Sequence, residues 1–171
     1  MRRWISAGAI VLGLLAAPSL AGAANPSAAT AGLLSSRWLW ATVDVCTTAS
    51  SSDVVGIRGS MPGTGDHKER MYMYFRLQYR GSKGVWHFVG QAGDSGFVYA
   101  GTAAYVSRQA GSNFHLAAST APGTKLRGEV YFDWRVGSRV EHHVVLATTA
   151  GHIVGAGSSP RGFSAAACTI S

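Results

Sequence analysis

The chain has 171 residues, 47% of them hydrophobic and only 13% charged, and carries a net charge of +7 at neutral pH. That length suits one domain with an adequate core, and 22 glycines fit a turn-rich β protein better than a helical one. A modest positive balance with no basic run argues against nucleic acid as a partner, although it favours anionic over cationic partners.

The first residues read as an export leader. Met1-Arg2-Arg3 is positive, Trp4 to Leu15 is an uncharged and mostly apolar run, and Pro18 precedes the small residues Ala21-Gly22-Ala23. This is the order of a signal peptide over residues 1–23, with cleavage expected near Ala23 or Ala24. The rival is an uncleaved leader acting as a membrane anchor, against which Pro18 and the small residues argue. Without the leader about 148 residues remain, the charge falls to +5, and no membrane span is expected.

Residues 24–36 are small and polar and read as a flexible linker, followed by a single domain over 37–171. Within it, Arg37–Cys46 is the first expected strand and Val54–Met61 the second, closed by Pro62-Gly63-Thr64-Gly65. Met71–Arg80 alternates cleanly, with Met71, Met73, Phe75, Leu77 and Tyr79 inward and Tyr72, Tyr74, Arg76, Gln78 and Arg80 outward. Gly81-Ser82-Lys83-Gly84 turns it into Val85–Val89, and Phe97–Ala100 and Asn113–Ala118 are shorter strands.

Leu126 to Val136 carries the strongest pattern. Leu126, Gly128, Val130, Phe132, Trp134 and Val136 take one face, and Arg127, Glu129, Tyr131, Asp133 and Arg135 the other. A partner strand follows Gly137-Ser138-Arg139. A two-residue turn would set Phe132 opposite His143, whereas a three-residue loop pairs Phe132 with Val144 and Val130 with Leu146. The longer loop also pairs Val136 with Val140, Arg135 with Glu141 and Asp133 with His143, leaving only Trp134 opposite His142 as an awkward match. The expected register is therefore the odd loop, or a bulge with the same effect. Gly-rich 150–162 is a long loop, and Ser164–Ile170 a final strand.

Two cysteines, Cys46 and Cys168, lie in the exported part, and an even pair in an oxidising compartment reads as a disulfide near the domain's two ends. Two thiols are too few for a structural zinc site.

Seven to nine short strands punctuated by turns predict an all-β, antiparallel β-sandwich. The layout over residues 37–149 resembles immunoglobulin-like and fibronectin type III-like domains. A tryptophan-bearing strand pair at 71–89 is followed by a long strand with Tyr131, Phe132 and Trp134, and then by a hairpin partner. The stretches ATVDVC, IRGSMPG and MYMYFRLQY also resemble a group of exported bacterial proteins of unknown function. The resemblance implies a sandwich fold and no particular activity. The inter-sheet cysteine pair of antibody domains is absent, Cys168 falls on an added terminal strand, and Tyr131 lacks the following cysteine of a tyrosine corner.

Two patterns invite chemistry. Gly93-Asp94-Ser95-Gly96 resembles the nucleophile segment of chymotrypsin-like proteases, but Phe97 replaces their next glycine, and neither His67 nor His87 has the expected context. A turn explains the same residues. His143, Glu141 and Asp133 could share a face and hold a metal, yet cross-strand charge pairing accounts for them equally. No catalytic residue, cofactor or metal ligand is assigned.

The outward residues of the two long strands remain. If those strands are neighbours, Tyr72, Tyr74, Arg76, Arg80, Arg127, Tyr131 and Arg135 form one face, tempered by Glu129 and Asp133. Arginine among tyrosines can bind a protein or an anionic envelope polymer or glycan. Alternatively the same residues form a self-satisfied ladder. The sequence thus predicts a secreted, non-catalytic binding or adhesion module. The alternatives are a structural envelope protein without a ligand site and, more remotely, a hydrolase.

Overall fold

Side chains at every second position of a strand share a face, so the alternating stretches can cover a core only if two sheets close over them. The computed structural model, which describes residues 28–48, 51–116 and 120–170, contains two antiparallel sheets. In chain order its elements are α1 (Ala28–Leu34), β1 (Trp40–Thr48), β2 (Ser51–Pro62), β3 (Arg70–Arg80), β4 (Trp86–Phe88), β5 (Asp94–Thr102), β6 (Ser107–His115), β7 (Lys125–Val136), β8 (Arg139–Ala147) and β9 (Cys168–Thr169). The smaller sheet has the order β1-β2-β6. In the larger, β3 and β7 lie side by side; β4 and β5 share the free edge of β3, while β8 and β9 share that of β7.

The core lies between the sheets. Met71, Met73, Phe75 and Leu77 of β3 and Leu126, Val130, Phe132 and Trp134 of β7 face Val43 of β1 and Val55, Ile57 and Met61 of β2. Glycines let the layers approach at two points. A side chain at Gly59 would strike Phe132 and Met73, and one at Gly128 would strike Ile57, so each sheet offers a hollow to a large residue of the other. Trp134 is fully buried and its indole N–H donates to the Pro62 carbonyl at 3.0 Å. That bond satisfies its polar atom, and the ring meets His142 edge-on, which explains how the awkward pair is accommodated.

The β7–β8 register follows the expected one from Val130↔Leu146 to Trp134↔His142, and a bulge near Glu141 produces it. At the tip the pairing is Arg135↔Val140 and Val136↔Arg139, not Val136 with Val140 or Arg135 with Glu141. The loop is the two-residue Gly137-Ser138 turn, with φ 61° at Gly137, and the bulge absorbs the odd residue.

Three further expectations change. Within 24–36, α1 replaces structureless linker, and its Leu33 packs into the core, so tertiary contact orders a segment whose own pattern is weak. Gly93-Asp94-Ser95-Gly96 is not a turn. Asp94 opens β5, and Gly96 (φ 67°) sits in a bulge between the pairs Tyr74↔Phe97 and Arg76↔Asp94. The final strand shrinks to Cys168–Thr169, while Ala165 exchanges both backbone hydrogen bonds with Val43. The expected leader, residues 1–23, lies outside the described residues.

The loop from Thr148 to Phe163 lies along the edge and outer face of β1. Thr149 donates its N–H to Ala41, Ser159 donates to Asp44, and Ser164 meets Thr42 side chain to side chain at 2.8 Å. Beneath it Trp40, Thr42 and Asp44 are buried although they point away from the core, and Asp44 pairs with Arg58 at 2.6 Å. A sheet edge is thereby covered. The disulfide Cys46–Cys168 ties β1 of the smaller sheet to β9 of the larger across 122 residues. Closing such a loop stabilises by about 5 kcal/mol in the chain-entropy treatment.

His152 is the titratable group of this cover. Its ring stacks on Trp40 at 4.8 Å and nearly parallel, its Nε2 lies 2.6 Å from the Thr149 hydroxyl, and burial pushes its pKa down. Above the unfolded value of about 6.5 the ring is neutral in both states and adds no pH dependence. Below it the unfolded chain takes the proton first, so stability falls with pH until the folded ring also charges. Urea midpoints of wild type and His152→Gln from pH 7.5 to 5 should therefore converge or cross toward acid; parallel curves would contradict the burial of this ring.

Candidate binding face

Ten consecutive pairs, from Arg70↔Arg135 to Tyr79↔Leu126, join β3 to β7 without a break. The strands expected to be neighbours are neighbours, and the register places even positions of β3 beside odd positions of β7 on the outer face. Tyr72 lies opposite Asp133, Tyr74 opposite Tyr131, Arg76 opposite Glu129 and Gln78 opposite Arg127. Tyr72, Tyr74, Arg76, Arg127, Tyr131 and Arg135 thus share one surface. Arg80 sits at its rim opposite Trp86, with its Nε donating to the Gly84 carbonyl.

Two edge strands extend this surface beyond the expected residues. β5 sets Phe97 opposite Tyr74 and Tyr99 opposite Tyr72, both about half exposed, while β4 brings Phe88 opposite Gln78 and Trp86 opposite Arg80. The alternation of Phe97 and Tyr99 with Val98 and Ala100 was the available signal for the first pair. Nothing in the three-residue β4 marked its face.

Arginines cover these rings. The Arg76 guanidinium lies 3.5 Å from the Phe88 centroid, and Arg127 4.4 Å from that of Trp86. Arg135 bridges Phe97 at 4.0 Å and Tyr72 at 5.0 Å. Such contacts hold long side chains in place while leaving their charge in water.

Polar groups between the rings are paired. Asp133 is only 3% exposed; Arg135 donates to it through Nε at 3.0 Å and Nη2 at 2.5 Å, and His143 Nδ1 lies 2.6 Å from its other oxygen. Arg127 Nε donates to Gln78 at 2.7 Å, Gln78 donates to Glu129 at 3.2 Å, and the Tyr131 hydroxyl donates to Glu129 at 2.7 Å. The ladder expected as the plainer reading of these residues is therefore present over β7. Arg76 differs, since the carboxylate of its salt bridge, that of Asp94, stands 3.9 Å away.

The electrostatics follow this layout. The Tyr74 pKa is raised by the neighbouring Asp94 carboxylate and by burial, and the Tyr131 pKa by burial and by Glu129, so both remain neutral phenols at physiological pH. Burial lowers the Arg127 pKa against the opposing pull of Glu129. For Arg76 burial also acts downward, but Tyr131 and Asp94 outweigh it and the net direction is up. Both guanidiniums stay charged.

The residues singled out for chemistry are otherwise engaged. The Ser95 hydroxyl accepts the Phe75 N–H at 2.9 Å and donates to the Gly96 carbonyl at 2.7 Å, stitching the β5 bulge to β3. Asp133 joins His143 as the sheet register requires, but Glu141 turns to Arg139 at 2.5 Å, and His142 pairs through Nδ1 with the Thr30 hydroxyl at 3.0 Å. Compared with known proteins, the chain matches no family model, no curated protein and no solved structure.

The buried Asp133 carboxylate is the polar anchor of the face. Replacing it with alanine should cost about 1.5–3 kcal/mol in urea unfolding, the range for hydrogen bonds to a charged group. An unchanged midpoint would show that Arg135 and His143 do not hold it in solution.

Proposed function

We propose that the protein is a secreted, non-catalytic binding module of the fibronectin type III-like kind, and that it engages a protein or anionic polymer at the cell envelope through the outer face of β3 and β7. The carrying observation is the concentration of arginine-covered rings on that open face: Arg76 over Phe88, Arg127 over Trp86, and Arg135 over Phe97 and Tyr72. Exposed aromatic and arginine side chains in one patch are the residue types that dominate binding surfaces. The sheet orders support the fold part of this reading. With β1-β2-β6 taken as strands A, B and E, the neighbours β3, β7 and β8 fall where C, F and G stand in an immunoglobulin-like sandwich. The disulfide, and the absence of any helix long and apolar enough to cross a membrane among the described residues, are compatible with an extracellular location.

A structural envelope protein without a ligand is the second reading, favoured by the ladder of internal bonds from Arg127 to Tyr131. Retention on purified cell wall separates the two. Wild type should be retained, and Arg76→Ala should weaken retention at least several-fold with its unfolding midpoint unchanged. Arg135→Ala, which also removes a partner of the buried Asp133, should weaken retention as much at temperatures where its circular dichroism still shows the folded chain. Retention that survives both changes would remove this face from the function.

A further inference from the structure

We infer that the ligand of this face is a linear acidic polysaccharide lying along β3, held by the guanidiniums of Arg135, Arg76 and Arg127; the inference rests on the binding-module reading above. At 3.5 Å from the Phe88 centroid, carbon-to-carbon contact distance, Arg76 can meet the ring only with its flat side. Its N–H edges, with Tyr131 beside them but no carboxylate within hydrogen-bond distance, can then take a carboxylate or sulfate in the fork geometry that guanidinium offers. Its salt-bridge partner Asp94 is 3.9 Å away, too far for a direct hydrogen bond, so an added anion can compete for those donors.

The anchors are strung along the strand. Tyr72, under Arg135, lies at the start of β3; Phe88, under Arg76, is opposite Gln78; and Trp86, under Arg127, is opposite Arg80. From Tyr72 to Arg80 a strand rises about 27 Å. Phe88 and Trp86 are only two residues apart, about 7 Å, so a compact anion can reach one end of this row, whereas an extended chain with spaced anions reaches both ends and all three anchors. The same spacing disfavours nucleic acid. Asp94, Glu129 and Asp133 interrupt the positive charge, which a dense phosphate backbone would meet as repulsion, and the guanidiniums occupy ring faces on which bases would stack. A protein partner would have to bury the Arg135–Asp133–His143 and Arg127–Gln78–Glu129 networks at its centre, where interfaces are depleted of charge. A hydrated polysaccharide leaves them wet.

The test is binding of the full chain to immobilised polygalacturonate and heparin, with dextran as the neutral control, at low salt and at 0.15 M salt. The inference predicts retention on at least one acidic polymer and none on dextran, weakening with salt. Arg76→Ala should lower affinity at least tenfold and Arg76→Lys should restore only part of it, with unfolding midpoints unchanged in both. Equal binding to dextran, or acidic-polymer binding indifferent to Arg76, overturns it. Failure on both acidic polymers, while cell wall still captures the protein in an Arg76- and Arg135-dependent way that protease treatment of the wall abolishes, also overturns it. That last outcome leaves the binding-module reading standing with a protein partner; loss of both kinds of binding ends both.

Discussion

The pairing of β3 with β7 is the constraint on which the rest of the molecule depends. Because the side-chain period of a strand is two, one register decides two faces at once. Odd positions of β3 and even positions of β7 enter the core as Met71, Met73, Phe75, Leu77, Val130, Phe132 and Trp134. The intervening positions then have to assemble Tyr72, Tyr74, Arg76, Tyr131 and Asp133 on the outside. A slip of one residue would bury arginines and expose Phe132, a cost far beyond the stability of a small domain. The candidate face is thus fixed by the same hydrophobic pattern that closes the sandwich.

Around that pair the remaining strands manage edges. The free edge of β3 is taken up by β4 and β5 in succession, and that of β7 by β8 and β9. In the smaller sheet β1 is shielded by the loop that buries Trp40, Thr42 and Asp44, and the Cys46–Cys168 bridge fastens the two sheets at that point. The chain's modest charge is spent locally, with Asp44 on Arg58 and Asp133 on Arg135 and His143. Two carboxylates can therefore be buried without leaving an uncompensated charge.

Strong alternation made β3 and β7 legible, and arithmetic on facing pairs gave the β7–β8 register from Val130 to Trp134. What alternation could not give was the position of the odd residue. A bulge at Glu141 and a loop at Arg139 have the same consequence farther down the ladder. Segments ordered by their neighbours were also hidden: among the described side chains of α1 only Leu33 enters the core, and Thr42 and Asp44 are polar yet buried because a distant Gly-rich loop covers them. β6, with the polar run Ser107-Arg108-Gln109, owes its strand form to nine backbone pairs with β2. The candidate face was legible as far as the two long strands reached. Trp86, Phe88, Phe97 and Tyr99 join it through pairings that only the folded topology supplies.

The register itself is open to direct measurement by cross-linking. With the Cys46–Cys168 bridge intact, the double variant Tyr74→Cys/Tyr131→Cys places two thiols directly opposite one another on the outer face and should oxidise to a second intramolecular disulfide. Tyr74→Cys/Phe132→Cys sets them on opposite faces and should not. A bridge in the second protein and none in the first would contradict the register, and with it both the core and the face built upon it.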